Sequence, residues 1–362
     1  MGCSDFGSSE KYKTIKIFKE ANNNCKCSLI QSTKTYDIYH YKIINISDSD
    51  DESVKRIKND MEMLKELNHP NIILLIDSYF SDDNKTLNII TEYADSGDIQ
   101  KKLDEQTTKK EYFEEGTLLD WLMQICLALK YIHEKNIIHR DIKPSNILLM
   151  KNIAKLGDFG VAKAVSPTLK YTKTMVATPK YLAPEIINKE KYSFKADIWS
   201  LGITFFQLVY LEYPFEGKNE AQILTNILEG NKKEIKNPNS YDQKLIELIN
   251  KMLSKRPEER PSAEEILENT IISTRMSCYL KENNYELSQA EKSIKEYEDN
   301  NKKKEAKKKK KIKIIGNKEI QESLNDDNLD INKKIEKKAK YDLNRQMTLM
   351  QKELLKKNMT CH

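Results

Sequence analysis

Eight consecutive residues carry most of the chemistry this chain offers: His139-Arg140-Asp141-Ile142-Lys143-Pro144-Ser145-Asn146, followed twelve residues later by Asp158-Phe159-Gly160. A carboxylate two residues from a lysine can take up a proton beside a positive charge. An amide oxygen and a second carboxylate are hard donors of the kind Mg²⁺ accepts. Taken singly, His-Arg-Asp reads as a solvated surface cluster and Asp-Phe-Gly as a turn. Five specified residues in this order arise by chance in about one chain in ten thousand. Three further runs follow in fixed order: Ala183-Pro184-Glu185, Asp197-Ile198-Trp199-Ser200-Leu201-Gly202 and Arg256-Pro257-Glu258-Glu259-Arg260-Pro261.

The loop at 139–146 resembles the catalytic loop of the protein kinases, and the later runs match their other signatures in order. The wording of 155–162 and 92–98 looks most like the NIMA-related serine/threonine kinases, and the resemblance covers about residues 12–272. It implies an α+β, two-lobed protein kinase fold with ATP and Mg²⁺ as cofactors and protein substrates as partners. Phosphoryl transfer is mostly positioning and charge neutralisation. The resemblance makes Asp141 the acceptor of the substrate hydroxyl proton, Lys143 a positive charge on the transferring group, and Asn146 with Asp158 the Mg²⁺ ligands. It assigns nucleotide contacts to Lys42, Glu92, Ala94, Asp98 and Leu148, the last as the floor of the adenine pocket. Arg140 beside the catalytic Asp marks kinases switched by a phosphate on the loop between Gly160 and Ala183, which would pair with Arg140 and Lys163. Thr174 is the first candidate for that phosphate and Thr172 the second, while Thr178 is expected to orient Lys143. Asp197 is expected to hold the loop backbone, and Glu185 with Arg260 to form a buried ion pair.

The elements that must position these residues are legible as patterns. Residues 12–46 alternate in short β-like runs, and 47–53 form an acidic loop. Apolar residues at 54, 57, 61, 64 and 67 have helical spacing. Two strand-like runs follow at 72–79 and 87–93. Beyond Gly97 long helices are predicted at 118–135, 197–210, 220–228 and 242–253. A hairpin, residues 147–150 and 153–156 joined by Lys151-Asn152, links the catalytic loop to Asp158. A strand-rich first part and a helix-rich second part point to two lobes.

The first lobe departs from the family pattern. No glycine lies between Gly7 and Gly97. Aligned without gaps from Tyr12, the three glycines of the family's phosphate loop become Lys19, Ala21 and Asn24, and the Val that covers the adenine becomes Lys26. The phosphate-anchoring Lys becomes Tyr41, with Lys42 one residue off and facing the opposite side of its strand unless a bulge or another register turns it inward. The helix acid that should pair with that Lys becomes Asp60, with Glu62 nearby, and Lys19 or Lys26 is a substitute cation. Two function classes follow: a serine/threonine kinase with an irregular nucleotide lid, favoured because Asp141, Lys143, Asn146 and Asp158 are all present, or a pseudokinase serving as a protein-binding scaffold.

Charge and composition set the outer limits. Of 362 residues, 61 are Lys or Arg and 56 Asp or Glu. Residues 273–362 hold 23 basic against 15 acidic side chains, so the excess belongs to a tail and the body is slightly acidic. The reading is therefore a disordered leader at 1–11, a kinase domain at 12–272 and a Lys-rich tail at 273–362. The lysine run at 302–313 suits an anionic partner or a solvated spacer, and no interleaved aromatics favour nucleic acid. Leu343, Met347, Met350 and Leu354 have the spacing of a short amphipathic helix. No apolar run reaches the roughly 18–20 residues of a membrane span, and no secretory signal follows Met1. Six cysteines read as free thiols in a reducing, cytoplasmic setting, with nuclear or cytoskeletal placement as variants. Gly2-Cys3 invites lipid anchoring, although Phe6 stands where Ser or Thr is wanted.

Overall fold

The computed structural model describes residues 11–18, 25–47, 49–151, 153–159, 179–191, 193–233, 236–282, 345–346 and 348–350. The first lobe is a five-stranded antiparallel sheet in the order β1-β2-β3-β5-β4, comprising β1 Tyr12–Ile17, β2 Cys25–Ser32, β3 Ile38–Asn45, β4 Leu75–Phe80 and β5 Thr86–Glu92. Helix α1, Asp51–Lys65, packs across one face. Asp50 caps it by accepting from the Ser53 amide, and Asp51 and Glu52 fill its first turn. The acidic stretch expected as a loop thus gives way to helix from Asp51 onward, because carboxylates are favourable at the positive end of the helix dipole. Ile57 and Met61 of α1 are buried with Ile44, Ile46, Leu87 and Ile89 on that face. Ile30, Tyr41 and Ile90 form a separate small core on the other.

The second lobe is built around α3, Glu115–Glu134, and α5, Phe194–Tyr210, which is buried along almost its whole length. The short α4, Pro184–Ile187, precedes α5, and α6 Glu220–Glu229, α7 Gln243–Met252, α8 Ala263–Glu268 and α9 Thr270–Glu282 surround the core. Gly202 lets α5 approach α7 closely, since a Cβ there would lie 2.9 Å from Leu253 Cδ2 and 3.0 Å from Met252 Cβ. The helix α2, Ile99–Lys109, was not legible in the pattern: it buries only Ile99 and Leu103 and is otherwise polar.

The hairpin of β6, Ile147–Met150, and β7, Ile153–Leu156, has the predicted strands, paired from Ile147↔Leu156 to Met150↔Ile153. The loop after α1 stitches it to the first lobe: Asn71 Nδ2 donates to the Ala154 carbonyl at 2.9 Å, and the Leu156 amide to the Asn71 carbonyl at 2.8 Å. Helix α9 runs through residue 272, the expected edge of the domain. It docks on α3, with Arg275 bidentate on Asp120 at 2.7 and 2.8 Å. In the tail, Arg345 reaches Asn68, donating to its side-chain oxygen at 2.6 Å and its carbonyl at 3.1 Å, and Met350 is buried in the main core. Leu343, Met347 and Leu354 of the expected amphipathic stripe lie outside the described residues, as do residues 1–10 of the leader and the lysine run.

Candidate active site

The catalytic-loop residues are held from beneath by Asp197 at the start of α5. Its carboxylate accepts from the backbone amides of His139 and Arg140, both at 2.9 Å, and contacts His133 Nε2 at 2.9 Å. These bonds fix the loop where Arg140 has φ 68°, a left-handed conformation that a non-glycine residue adopts only when its surroundings impose it. The Asp141 carboxylate is then presented to two donors, Asn146 Nδ2 at 2.8 Å and Lys143 Nζ at 3.0 Å. Asn146 also donates to the Asp141 carbonyl at 2.7 Å. With its nitrogen so committed, the Asn146 side chain has its oxygen left as the atom suited to a cation.

The hairpin brings Asp158 to the same place. The Gly157 amide donates to the Asn146 carbonyl at 2.9 Å, so the residues flanking the two strands lie side by side. A Cβ on Gly157 would sit 3.2 Å from both Leu148 and Ile73, an approach that keeps the Asp158 segment against the floor of the cleft. Asp158 itself has φ 50°, and Phe159 packs on His139 with ring centroids 4.8 Å apart.

The sheet supplies the roof. Lys42 Nζ lies 2.8 Å from Asp158 Oδ1, so Lys42 faces the cleft and Tyr41 does not. Tyr41 is buried on the far face, where its hydroxyl donates to Asn88 Oδ1 at 2.6 Å. The gapless alignment from Tyr12 is corrected by this register. β2 and β3 pair without interruption from Cys25↔Ile44 to Gln31↔Ile38, but β1 carries an irregularity between Thr14 and Lys16, one residue that an ungapped alignment cannot absorb. The shift carries through β2: Lys26 is exposed, and Cys27, opposite Lys42, takes the lid position. Lys26 is therefore no substitute for the anchoring lysine, and Lys19, Ala21 and Asn24 lie outside the described residues.

Electrostatics reinforce the Lys42–Asp158 contact. Burial alone would raise the Asp158 pKa, yet the Lys42 ammonium and its hydrogen bond bring it below the ordinary carboxylate value. For Lys42 burial alone would lower the value, and Asp158 more than reverses it, so the net shift is upward. Among the described residues the carboxylate that Lys42 meets is Asp158. Asp60 sits partly buried, its pKa raised by that burial and opposed by the nearby Arg140 charge, and Glu62 pairs along its own helix with Lys65 at 2.8 Å.

The segment joining the lobes lies along β6. The Leu149 amide donates to the Gly97 carbonyl at 2.8 Å, the Ser96 amide to the Leu149 carbonyl at 3.0 Å, and Asp98 bridges to Leu148. Ala94 lies within this segment. Asp98 caps α2, accepting from the Lys101 amide at 2.8 Å. The Glu92 side chain is committed elsewhere: buried, it accepts from Lys155 Nζ at 3.0 Å and from the Leu74 amide at 2.9 Å. Contact between Glu92 and a nucleotide would have to use its main chain. The Lys155–Glu92 pair was not singled out from sequence, since its members are 63 positions apart. Nor was His40, which shares the cleft face of β3 with Lys42, stands opposite Thr91 on β5 and has its pKa lowered chiefly by burial.

Away from the cleft, Arg260 and Glu185 are buried and paired through both oxygens at 2.7 and 2.8 Å. Arg260 also donates to the carbonyls of Ser254, Lys195 and Lys255 and lies over the Trp199 ring at 4.9 Å. Thr172, Thr174, Thr178 and Lys163 lie outside the described residues.

The sequence family model named protein kinase domain matches residues 23–272, which contain every element of this cleft except β1. The chain belongs to the protein kinase family. Its relatives are NIMA-related kinases. Over 272 residues it is 36% identical to serine/threonine-protein kinase Nek1 of Mus musculus, covering 75% of this chain and 22% of that protein. Over 254 residues it is 34% identical to serine/threonine-protein kinase Nek2 of Homo sapiens, covering 68% and 57%. A probable serine/threonine-protein kinase, nek3 of Dictyostelium discoideum, is 36% identical over 277 residues, covering 75% and 24%. The match thus spans about a fifth to three fifths of these relatives' lengths. None of the helices among this kinase's described residues is long and apolar enough to cross a membrane.

Proposed function

We propose that this kinase transfers the γ-phosphate of ATP to serine or threonine hydroxyls of protein substrates. The observation that carries the reading is the 2.8 Å approach of Lys42 to Asp158, which closes a cluster with Asp141, Lys143 and Asn146. In this reading Asp141 takes the proton of the attacking hydroxyl, and Lys143, already beside it, offsets charge on the phosphoryl group in flight. Lys42 holds non-transferred phosphate oxygens from the roof.

The donor set fits Mg²⁺: a carboxylate and an amide oxygen, both hard, with phosphate oxygens and water to complete the shell. Asn146 and Asp158 would hold the ion, which supplies charge neutralisation and orients the phosphates. Leu148 under the base, the main chain at Glu92 and Ala94, and Asp98 toward the sugar would complete the nucleotide site. The catalytic unit is proposed as residues 12–272 with α9 as its continuation, and the lysine run as the site of an anionic partner.

Regulation is proposed through a phosphate on Thr174, paired with Arg140. A cytoplasmic setting is proposed on the free thiols at Cys25, Cys27, Cys126 and Cys278. The test is transfer of labelled γ-phosphate to a generic substrate by the full chain, with Asp141→Asn as control. Incorporation no greater than in the control would leave the scaffold reading in its place.

A further inference from the structure

The roof of the cleft holds a pair of thiols that phosphoryl transfer does not use. Cys25 and Cys27 are two residues apart on β2 and therefore on one face, and their sulfurs are 3.9 Å apart. That face is the cleft face, because Cys27 is the cross-strand partner of Lys42 and Cys25 that of Ile44. Both thiols are half-buried, whereas Cys126 is fully buried and Cys278 is exposed. Lys42 contributes a positive charge beside them.

We infer that Cys25 and Cys27 form a dithiol site for low-molecular-weight disulfides of the glutathione type, and that its oxidation to a Cys25–Cys27 disulfide weakens nucleotide binding. The consequence for nucleotide rests on the proposed kinase function, whereas the thiol chemistry does not. In the first step the Cys25 thiolate attacks one sulfur of the external disulfide. The external S–S bond breaks, and the departing thiolate takes up a proton equivalent to the one Cys25 gave up. In the second step Cys27 attacks the Cys25 sulfur of the mixed disulfide, and its proton goes with the second departing thiol. Two electrons pass from the two cysteines to the external disulfide, giving one internal disulfide and two external thiols.

Order of attack follows from the surroundings. A hydrogen bond from Cys27 and, behind it, the Lys42 charge bring the Cys25 thiol down to about 7 against the opposing effect of burial, while Cys27 is pushed up. Cys25 is thus the attacking sulfur and Cys27 the resolving one. Reversibility follows from strand geometry. Residues i and i+2 of a strand have Cα atoms about 6.6 Å apart, near the upper limit for a disulfide. Closing the bond must pucker β2, so it is strained and readily reduced, a property of regulatory rather than structural disulfides. The pucker falls on the strand segment that pairs with Lys42.

The test exposes the full chain to glutathione disulfide, traps free thiols with N-ethylmaleimide and maps the cysteines by mass spectrometry. The expected result is an internal Cys25–Cys27 disulfide in the wild type and a glutathionyl group on Cys25 in Cys27→Ser. Calorimetry with a non-hydrolysable ATP analogue and Mg²⁺ should then show affinity lowered by about tenfold or more, restored by dithiothreitol and unaffected by oxidant in Cys25→Ser. Maleimide on both cysteines after oxidant treatment, or glutathione on Cys27 in Cys25→Ser with none on Cys25 in Cys27→Ser, overturns the site. A disulfide that forms without changing affinity overturns the control of binding. A reduced chain that binds no nucleotide overturns the kinase reading instead, and the mass map still judges the chemistry.

Discussion

Replacing Lys42 by Ala separates the register seen in the sheet from the one an ungapped alignment gives. Lys42 makes a 2.8 Å charge-assisted contact, but its partner Asp158 has a side chain 55% exposed, so solvent screens the pair and folding should lose less than about 1 kcal/mol. The loss should appear in transfer instead. A charge-assisted hydrogen bond to phosphate is worth about 1.5–3 kcal/mol, or about tenfold to a hundredfold in kcat/KM. Tyr41 should behave in the opposite way. Tyr41→Phe removes the donor to the buried Asn88 oxygen and should cost about 1–3 kcal/mol of stability with little change in kcat/KM. Tyr41→Lys buries an unpaired ammonium in the small core with Ile30 and Ile90, and should destabilise without raising activity. Thermal melts and γ-phosphate transfer on the same preparations measure both axes. If Tyr41→Lys gained activity while Lys42→Ala kept it, the cleft face of β3 would have been assigned the wrong way round.

Four other outcomes are expected. Asp141→Asn should lower kcat by about a hundredfold to ten-thousandfold in the transfer assay with little change in melting temperature, as removal of a general base does. Arg260→Ala should destabilise by about 3–5 kcal/mol in denaturant titrations, because it strands the buried Glu185 carboxylate, and Glu185→Gln in the Arg260→Ala background should recover part of that loss. His69 is buried, and its Nδ1 accepts the Asn71 amide at 3.1 Å, so the folded state holds the ring neutral with a pKa near 3, lowered by burial and then by Arg345 and Lys155. Its folded value lies below the unfolded one, so its contribution is complete above pH about 6.5 and falls by about 1.4 kcal/mol per unit as pH drops toward 3. Melts from pH 7.5 to 5 should show that slope, and His69→Gln should flatten it. Ending the chain after residue 344 should lower the melting temperature, since Arg345 then no longer holds Asn68 and Met350 leaves the core. An unchanged melt would separate the tail from the folded unit.

Local chemistry made much of this molecule readable. The loop at 139–146, the hairpin to Asp158 and the helices α3, α5, α6 and α7 follow from short-range spacing, because a turn, a two-residue hairpin connection and a 3.6-residue period are each decided within a few residues. The acids at 50–52 were legible as charge but not as a helix start, a reading that depends on the Asp50 cap. Helix α2 was lost because two apolar residues make no stripe.

What sequence left open turned on partners far apart in the chain. Tyr41 and Lys42 are both plausible cleft residues on a strand whose two faces each carry apolar side chains. Period two allows either face, and only pairing with β2 and β5 and the docking of α1 selects one. The bond between Glu92 and Lys155, the reach of Arg345 to Asn68 and the extension of α9 past residue 272 likewise belong to the closed fold. The sequence by itself determined that a carboxylate, Asp141, stands beside a lysine, Lys143, since residue type and close spacing suffice to present the one to the other. The tertiary structure decided which cation meets Asp158 and which thiols share the roof with it, because strand parity is settled by burial across the whole sheet and not by any one residue within it.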